Sequence, residues 1–149
     1  MKSPEVEALR RLLFFSVPEA AALVGGVSEQ AWRRWEAGSR AVPADVAHRL
    51  RGLADWRRAA IDAAARQIGA APEGTAVALI WYGILDDWAT TPGREPELWR
   101  PQQSVVAALA GRFPDRCALV EFNGCAYAAW LGGRQDNETT RAEWAARQA

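Results

Sequence analysis

Metal ligands are scarce in this chain: His48 is its single histidine, and Cys117 and Cys125 are its two cysteines. That excludes a disulfide scaffold and any four-ligand zinc site. No apolar stretch approaches the ~18 to 20 residues that a membrane span needs. Glu5 and Glu7 stand among the first residues with no small-residue cleavage site after them, which argues against a secretion signal. No Walker, dinucleotide-binding or nucleophile-elbow motif occurs. Asp86-Asp87 has no histidine or metal-ligand partner nearby in sequence, so a helix start is its simpler reading. The expectation is a cytoplasmic protein with no membrane contact, no cofactor, no metal site and no catalytic residue: not an enzyme.

What is present is a folding composition. Half of the 149 residues are hydrophobic and 24% are charged, which suits one ordinary domain or two small ones. Cations and anions balance at 18 each, but unevenly along the chain. Residues 1–71 carry 11 basic and 8 acidic side chains, a balance of +3. Residues 72–149 carry 7 and 10, a balance of −3. Lys2 is the only lysine, so the cations are almost all arginine, the forked donor that fits phosphate and guanine edges. The asymmetry points to a basic module followed by a neutral-to-acidic one.

The boundary between them falls at Gly69-Ala70-Ala71-Pro72-Glu73-Gly74, giving a helical module over 1–70 and an α+β module over 75–149. Val6, Leu9 and Leu13 recur at helical spacing and predict a short amphipathic first helix. Ser16 and Glu19 form a capping box that opens an Ala-rich second helix ending at Gly25-Gly26. Ser28 caps a third helix that ends near Ala37-Gly38. Pro43, in a first turn with Asp45, opens a long fourth helix to about Ile68. Beyond the boundary, Thr75–Trp81 and Cys117–Phe122 read as strands. Ile84–Ala89, Pro101–Ala110 and Glu138–Gln148 read as helices, with turns at Pro92-Gly93 and Gly132-Gly133.

Two short helices joined by a tight glycine turn are the pattern of a helix-turn-helix. On a helical wheel Trp32, Trp35, Ala31 and Ser28 share one side and mark a buried face. Gln30, Arg33, Arg34 and Ala37 share the other side, which holds no carboxylate. Such a strip suits a major groove: arginine reads guanine O6 and N7, and glutamine reads adenine N6 and N7. Gln30 and Arg34 are the foremost candidates for base contact. Arg33 serves base or phosphate, or pairs with Glu29. Glu29 accepts from a cytosine amino group, or else favours the helix dipole and pairs with Arg33 at i+4. Ser28, Ser39 and Arg40 complete the candidate set, the last two as phosphate contacts or as an ordinary solvated loop.

The segment from Phe15-Ser16 to Gly38 resembles the Cro/CI-type (lambda-repressor-like) helix-turn-helix. The motif stands here as Ser16, Ala20-Ala21, Gly26-Val27-Ser28 and Trp35-Glu36-Ala37-Gly38. The resemblance implies an ion pair between Arg10 and Glu36 that ties the first helix to the third. Trp32-x-x-Trp35-Glu36-x-Gly38, Val42-Pro43 and Val46 are closer still to the YdiL-like regulators and the anti-CRISPR-associated (Aca) autorepressors. So is the segment Trp99-Arg100-Pro101-Gln102-Gln103-Ser104-Val105-Val106-Ala107. That likeness implies a lambda-repressor-like domain of four or five helices followed by a small α+β dimerisation domain. It further implies a homodimeric (auto)repressor on an inverted repeat of double-stranded DNA, with its own promoter as a target. Two departures stand out. The Gly25-Gly26 turn is one residue longer than in the common pattern, which would tilt the recognition helix. Val17 and Pro18 occupy positions where many relatives place polar residues that touch the backbone.

Two rival functions survive at this level: an RNA-binding regulator using the same basic helix, and an antitoxin-like protein whose second half captures a partner. The eight tryptophans read as core and interface packing rather than as stacking platforms for bases. The cysteines read as small buried hydrophobes, His48 as exposed or packed, and Asn137-Glu138-Thr139 as a glycosylation acceptor in form only.

Overall fold

In the computed structural model, which describes residues 1–91 and 93–149, the apolar periodicity does what it predicts. Val6, in α1 (Ser3–Leu12), and Leu13 just after it are fully buried. The second helix opens on the expected capping box, where the Ser16 N–H donates to the Glu19 carboxylate at 2.8 Å. Here α2 (Val17–Glu19) continues without a break into a π-helical coil, Ala20–Gly25, and stops at Gly26 with φ +59°. The stop is where the glycines predict it; the widened coil is not foreseen. A π-turn takes more residues than an α-turn, so the coil holds more of the chain in the same length than an α-helix would. A Cβ on Gly25 would lie 3.2 Å from the Trp32 ring, so a glycine there lets the coil close onto the next helix.

Ser28 caps α3 (Glu29–Glu36), its hydroxyl accepting from the Ala31 N–H. The chain leaves α3 through Gly38 at φ +73°, a left-handed conformation that favours glycine. The turn also lies so close to α1 that a Cβ on Gly38 would sit 2.9 Å from the Ser3 hydroxyl. The fourth helix, α4 (Ala44–Ala70), starts one residue after Pro43 and runs two residues past Ile68, into the predicted linker. Its first half sends Val46, Leu50 and Leu53 into a core shared with Val6, Val24, Trp32 and Trp35. Its second half packs Trp56, Ile61 and Ile68 against Val105 and Leu109.

The remainder makes the architecture α+β, as expected. Strands β1 (Val77–Trp81) and β2 (Cys117–Glu121) form one two-stranded parallel sheet, paired from Val77↔Cys117 to Trp81↔Glu121. Between them run α5 (Leu85–Ala89), a 3₁₀ turn (Pro96–Leu98) and α6 (Trp99–Arg112). Pro92, of the predicted Pro92-Gly93 turn, lies outside the described residues; Gly93 has φ +82°. Asp86 and Asp87 fall in the first turn of α5, as the simpler reading has it.

After β2 come α7 (Gly124–Leu131) and the predicted terminal helix, here α8 (Glu138–Ala146). Tyr82, Phe122, Tyr127 and Trp144 build an aromatic core between these helices and the even-numbered face of the sheet. Helix α7 is absent from the sequence reading. Its residues, Gly-Cys-Ala-Tyr-Ala-Ala-Trp-Leu, include no charged side chain, so no polar face sets off an apolar one.

Trp32, Trp35, Trp88, Trp99 and Trp144 are buried and the other three tryptophans half-buried, in line with packing. Cys117 is half-buried, and that burial pushes its thiol up. Cys125 corrects the expectation of two buried cysteines: it is exposed, on the unforeseen α7. His48 is exposed on α4. Among the described residues no helix is long and apolar enough to cross a membrane.

Candidate nucleic-acid interface

Two tryptophans and one ion pair fix the orientation of α3. Trp32 and Trp35 meet edge to face inside the first core, their ring centroids 5.5 Å apart. The Arg10–Glu36 pair is present, with Nε to Oε1 at 2.6 Å and Nη2 to Oε2 at 3.3 Å. Arg10 also donates to the Phe15 carbonyl, and the Trp32 indole N–H donates to Glu36 at 2.8 Å. Burial works to raise the Glu36 carboxyl, but the hydrogen bonds from Arg10 and Trp32 outweigh it and hold the group below its ordinary value.

With that face locked inside, Gln30, Arg33, Arg34 and Ala37 are all exposed on the other. Among the described residues the side chains of Gln30 and Arg34 have no hydrogen-bond or ion-pair partner, so their donors are open to solvent. Arg33 is engaged: its guanidinium bonds the Glu29 carboxylate, the i+4 pairing weighed for Glu29. Ser28 corrects the wheel, which groups it with the buried face. As an N-cap it has extended backbone (ψ 153°), so helical angles do not apply to it, and it is exposed.

Ser39 does local work. Its hydroxyl and its N–H both donate to the Arg34 carbonyl, and the Arg40 N–H joins them at 3.2 Å. The loop thereby satisfies a carbonyl that the end of α3 leaves free. The Arg40 side chain is exposed and unpaired among the described residues. Lys2 escaped the sequence reading. Contact between Ser3 and Gly38 brings the start of α1, with exposed Lys2, to the same end of α3 as Arg40. Only its charge marks Lys2 in the sequence, since no local rule places residue 2 beside residue 38.

A second set of contacts joins this helical region to α6. Arg100 donates to Glu19 through Nη2 at 2.6 Å and Nε at 2.9 Å, and to Gln103 at 2.6 Å. Glu19 thus caps α2 and also holds α6; these hydrogen bonds overcome its burial and lower its pKa. Arg57 of α4 donates to Ser104 of α6, while within the helical region Arg49 of α4 donates to the Val24 carbonyl near the end of the π-coil.

A family model described as Aca2/YdiL-like matches residues 1–117. The chain belongs to the Aca2/YdiL-like family. The resemblance read from Trp32 to Val46 and from Trp99 to Ala107 is borne out. The Aca2 repressor of Pectobacterium phage ZF40 is 36% identical to this chain over 108 residues, covering 72% of this chain and 90% of that protein. The family match takes in α1 to α6 and β1 and ends at the first residue of β2. Helices α7 and α8 of this Aca2/YdiL-like protein lie beyond it.

Proposed function

We propose that this protein is a transcriptional repressor that reads duplex DNA through α3. The carrying observation is the exposed strip of Gln30 and Arg34, both without partners, on a helix anchored by Trp32, Trp35 and the Arg10–Glu36 pair. On this reading residues 1–70 are a lambda-repressor-like, Cro/CI-type helix-turn-helix domain and residues 75–149 a dimerisation domain. A relative that is a repressor supports regulation rather than catalysis. Gln30 and Arg34 contact bases. Arg33 is available to a phosphate, because an exposed ion pair such as that with Glu29 is worth only ~0–1 kcal/mol and is readily exchanged. Arg40, Ser28, Ser39 and Lys2 lie at the two ends of α3, where a groove-bound helix meets the backbone.

One recognition helix reads only a few base pairs, so specific affinity calls for two. A twofold dimer binds an inverted repeat whose half-sites lie ~10 bp apart or a multiple of that. As an autorepressor the protein binds its own promoter, in the cytoplasm.

Selection from random duplexes at physiological salt tests this. A palindrome should emerge, with one base position relaxed in Arg34→Ala at a cost of ~1–3 kcal/mol. Arg40→Ala should weaken all sequences alike and flatten the salt dependence by about one phosphate's worth of counterion release. A pool without a motif overturns the reading, and preference for an RNA stem-loop over the matching duplex would replace DNA with RNA.

The contacts of α6 with Glu19, through Arg100, and with Arg57 of α4, through Ser104, carry a further expectation: they set the angle between reading helix and dimer unit. Arg100→Ala should broaden the tolerated half-site spacing in an operator series while leaving affinity for an isolated half-site unchanged.

A further inference from the structure

The two edges of the sheet are treated differently. Val77 N–H donates to the Arg116 carbonyl and Phe122 N–H to the Trp81 carbonyl. In a parallel pair this means that residues 77, 79 and 81 turn their backbone groups toward β2, while 78, 80 and 82 turn theirs outward. On that outer edge of β1 side chains cover two carbonyls. Gln102 donates to the Ile80 carbonyl at 3.0 Å, and Gln103 and the Trp99 indole both donate to the Tyr82 carbonyl.

The same geometry sends the backbone groups of Cys117, Leu119 and Glu121 to the outer edge of β2. The Cys117 N–H is taken by the Phe113 carbonyl. Among the described residues, the N–H and C=O of Leu119, the N–H and C=O of Glu121 and the C=O of Cys117 have no partner on that side. Leu119 is 52% exposed, beside Trp81 and Glu121 in one shallow depression. Soluble proteins guard such an edge with lysine, proline or a bulge, and none stands here. A lone parallel pair open on one side is also a poor endpoint for a sheet.

We infer that β2 pairs antiparallel with β2 of a second copy, about a twofold axis through Leu119. This rests on the dimeric reading above and names its surface. The fit is to itself: about a twofold at Leu119 the free donors on one copy face free acceptors on the other. Each Leu119 N–H meets the Leu119 carbonyl of the other copy, and each Glu121 N–H meets the other copy's Cys117 carbonyl. Four of the five unpaired groups are thereby satisfied, and the Glu121 carbonyl, opposite the occupied Cys117 N–H, is left to water. Leu119 and Trp81 of both copies then share one face of a four-stranded sheet ordered β1-β2-β2-β1. Its outer edges are the ones on which Gln102, Gln103 and Trp99 stand, and these side chains obstruct a further strand, so the assembly ends at two chains instead of growing into a fibre.

Leu119→Lys and Leu119→Pro, in the full chain, test the pairing by sedimentation equilibrium and circular dichroism. Neither removes a hydrogen bond within the protomer, because the Leu119 N–H is free there and an edge strand tolerates proline. The wild type should have the mass of two chains. Both variants should fall to half of it at micromolar concentration with an unchanged spectrum. Their affinity for a full operator should drop to that for a half-site. If Leu119→Pro disturbs the fold, Leu119→Lys alone decides. Folded variants that stay dimeric overturn the β2 pairing and leave the dimeric repressor standing, whereas a monomeric wild type overturns both.

Discussion

Glu36→Ala is expected to cost about 3–5 kcal/mol of stability, the range for removing one partner of a buried ion pair. The reason is what remains. The Arg10 and Glu36 side chains are only 11% and 14% exposed, so the alanine variant strands a guanidinium inside the protein. It also strands the Trp32 indole N–H, which Glu36 accepts from at 2.8 Å. Arg10→Ala leaves Glu36 with its Trp32 bond and better access to water, and should cost less. Denaturant unfolding followed by tryptophan fluorescence measures both, since Trp32 and Trp35 lie in that core. The double variant should show strong coupling between the two positions. Acid gives a second check. Because the folded Glu36 carboxyl lies below its ordinary value, its contribution is fully present above about pH 4.3 and is lost as pH falls through the lowered value. Glu36→Gln should remove that part of the acid dependence.

The same pair shows how far the sequence could be read. It was legible because a family motif names both residues. The capping box was legible because Ser16 and Glu19, three apart, need nothing from elsewhere in the chain. The strip of α3 was legible because a helix converts spacing into facing without outside help. What escaped depends on partners distant in sequence. No local rule places Arg100 against Glu19, or turns Gln102 and Gln103 into caps for β1. The widened coil at Ala20–Gly25 packs against Trp32 of the next helix, a neighbour that no local pattern supplies. Helix α7 escaped because it is apolar almost all round, and Ser28 was misplaced because a cap residue does not obey the wheel.

Asp136→Ala is the second large loss expected, again about 3–5 kcal/mol. Arg141 is the most deeply placed charge in the second half, with its side chain 2% exposed. Asp136 receives it bidentately, at 2.9 Å from Nε and 2.8 Å from Nη2. The Asp87 carbonyl and the Thr90 hydroxyl take two more of its N–H groups, and the Phe122 ring lies 4.5 Å beneath it. Burial opposes this charge, yet the hydrogen bonds to Asp136 more than restore it and raise the Arg141 pKa. In return, the hydrogen bonds from Arg141 lower the Asp136 carboxyl, which also accepts from Tyr127. Asp136 therefore stabilises the fold above the ordinary carboxylate range, about pH 3.9, and that contribution fades as pH falls through its lowered value. Arg141→Met combined with Asp136→Ala should be more stable than Asp136→Ala alone, because an apolar side chain of similar length leaves no charge to strand. The two cores share Leu98, and Arg100 grips Glu19 across them. The loss should therefore lower one cooperative transition of the whole chain. A split into two transitions would instead mean that the two cores hold independently and that Leu98 and Arg100 do not couple them.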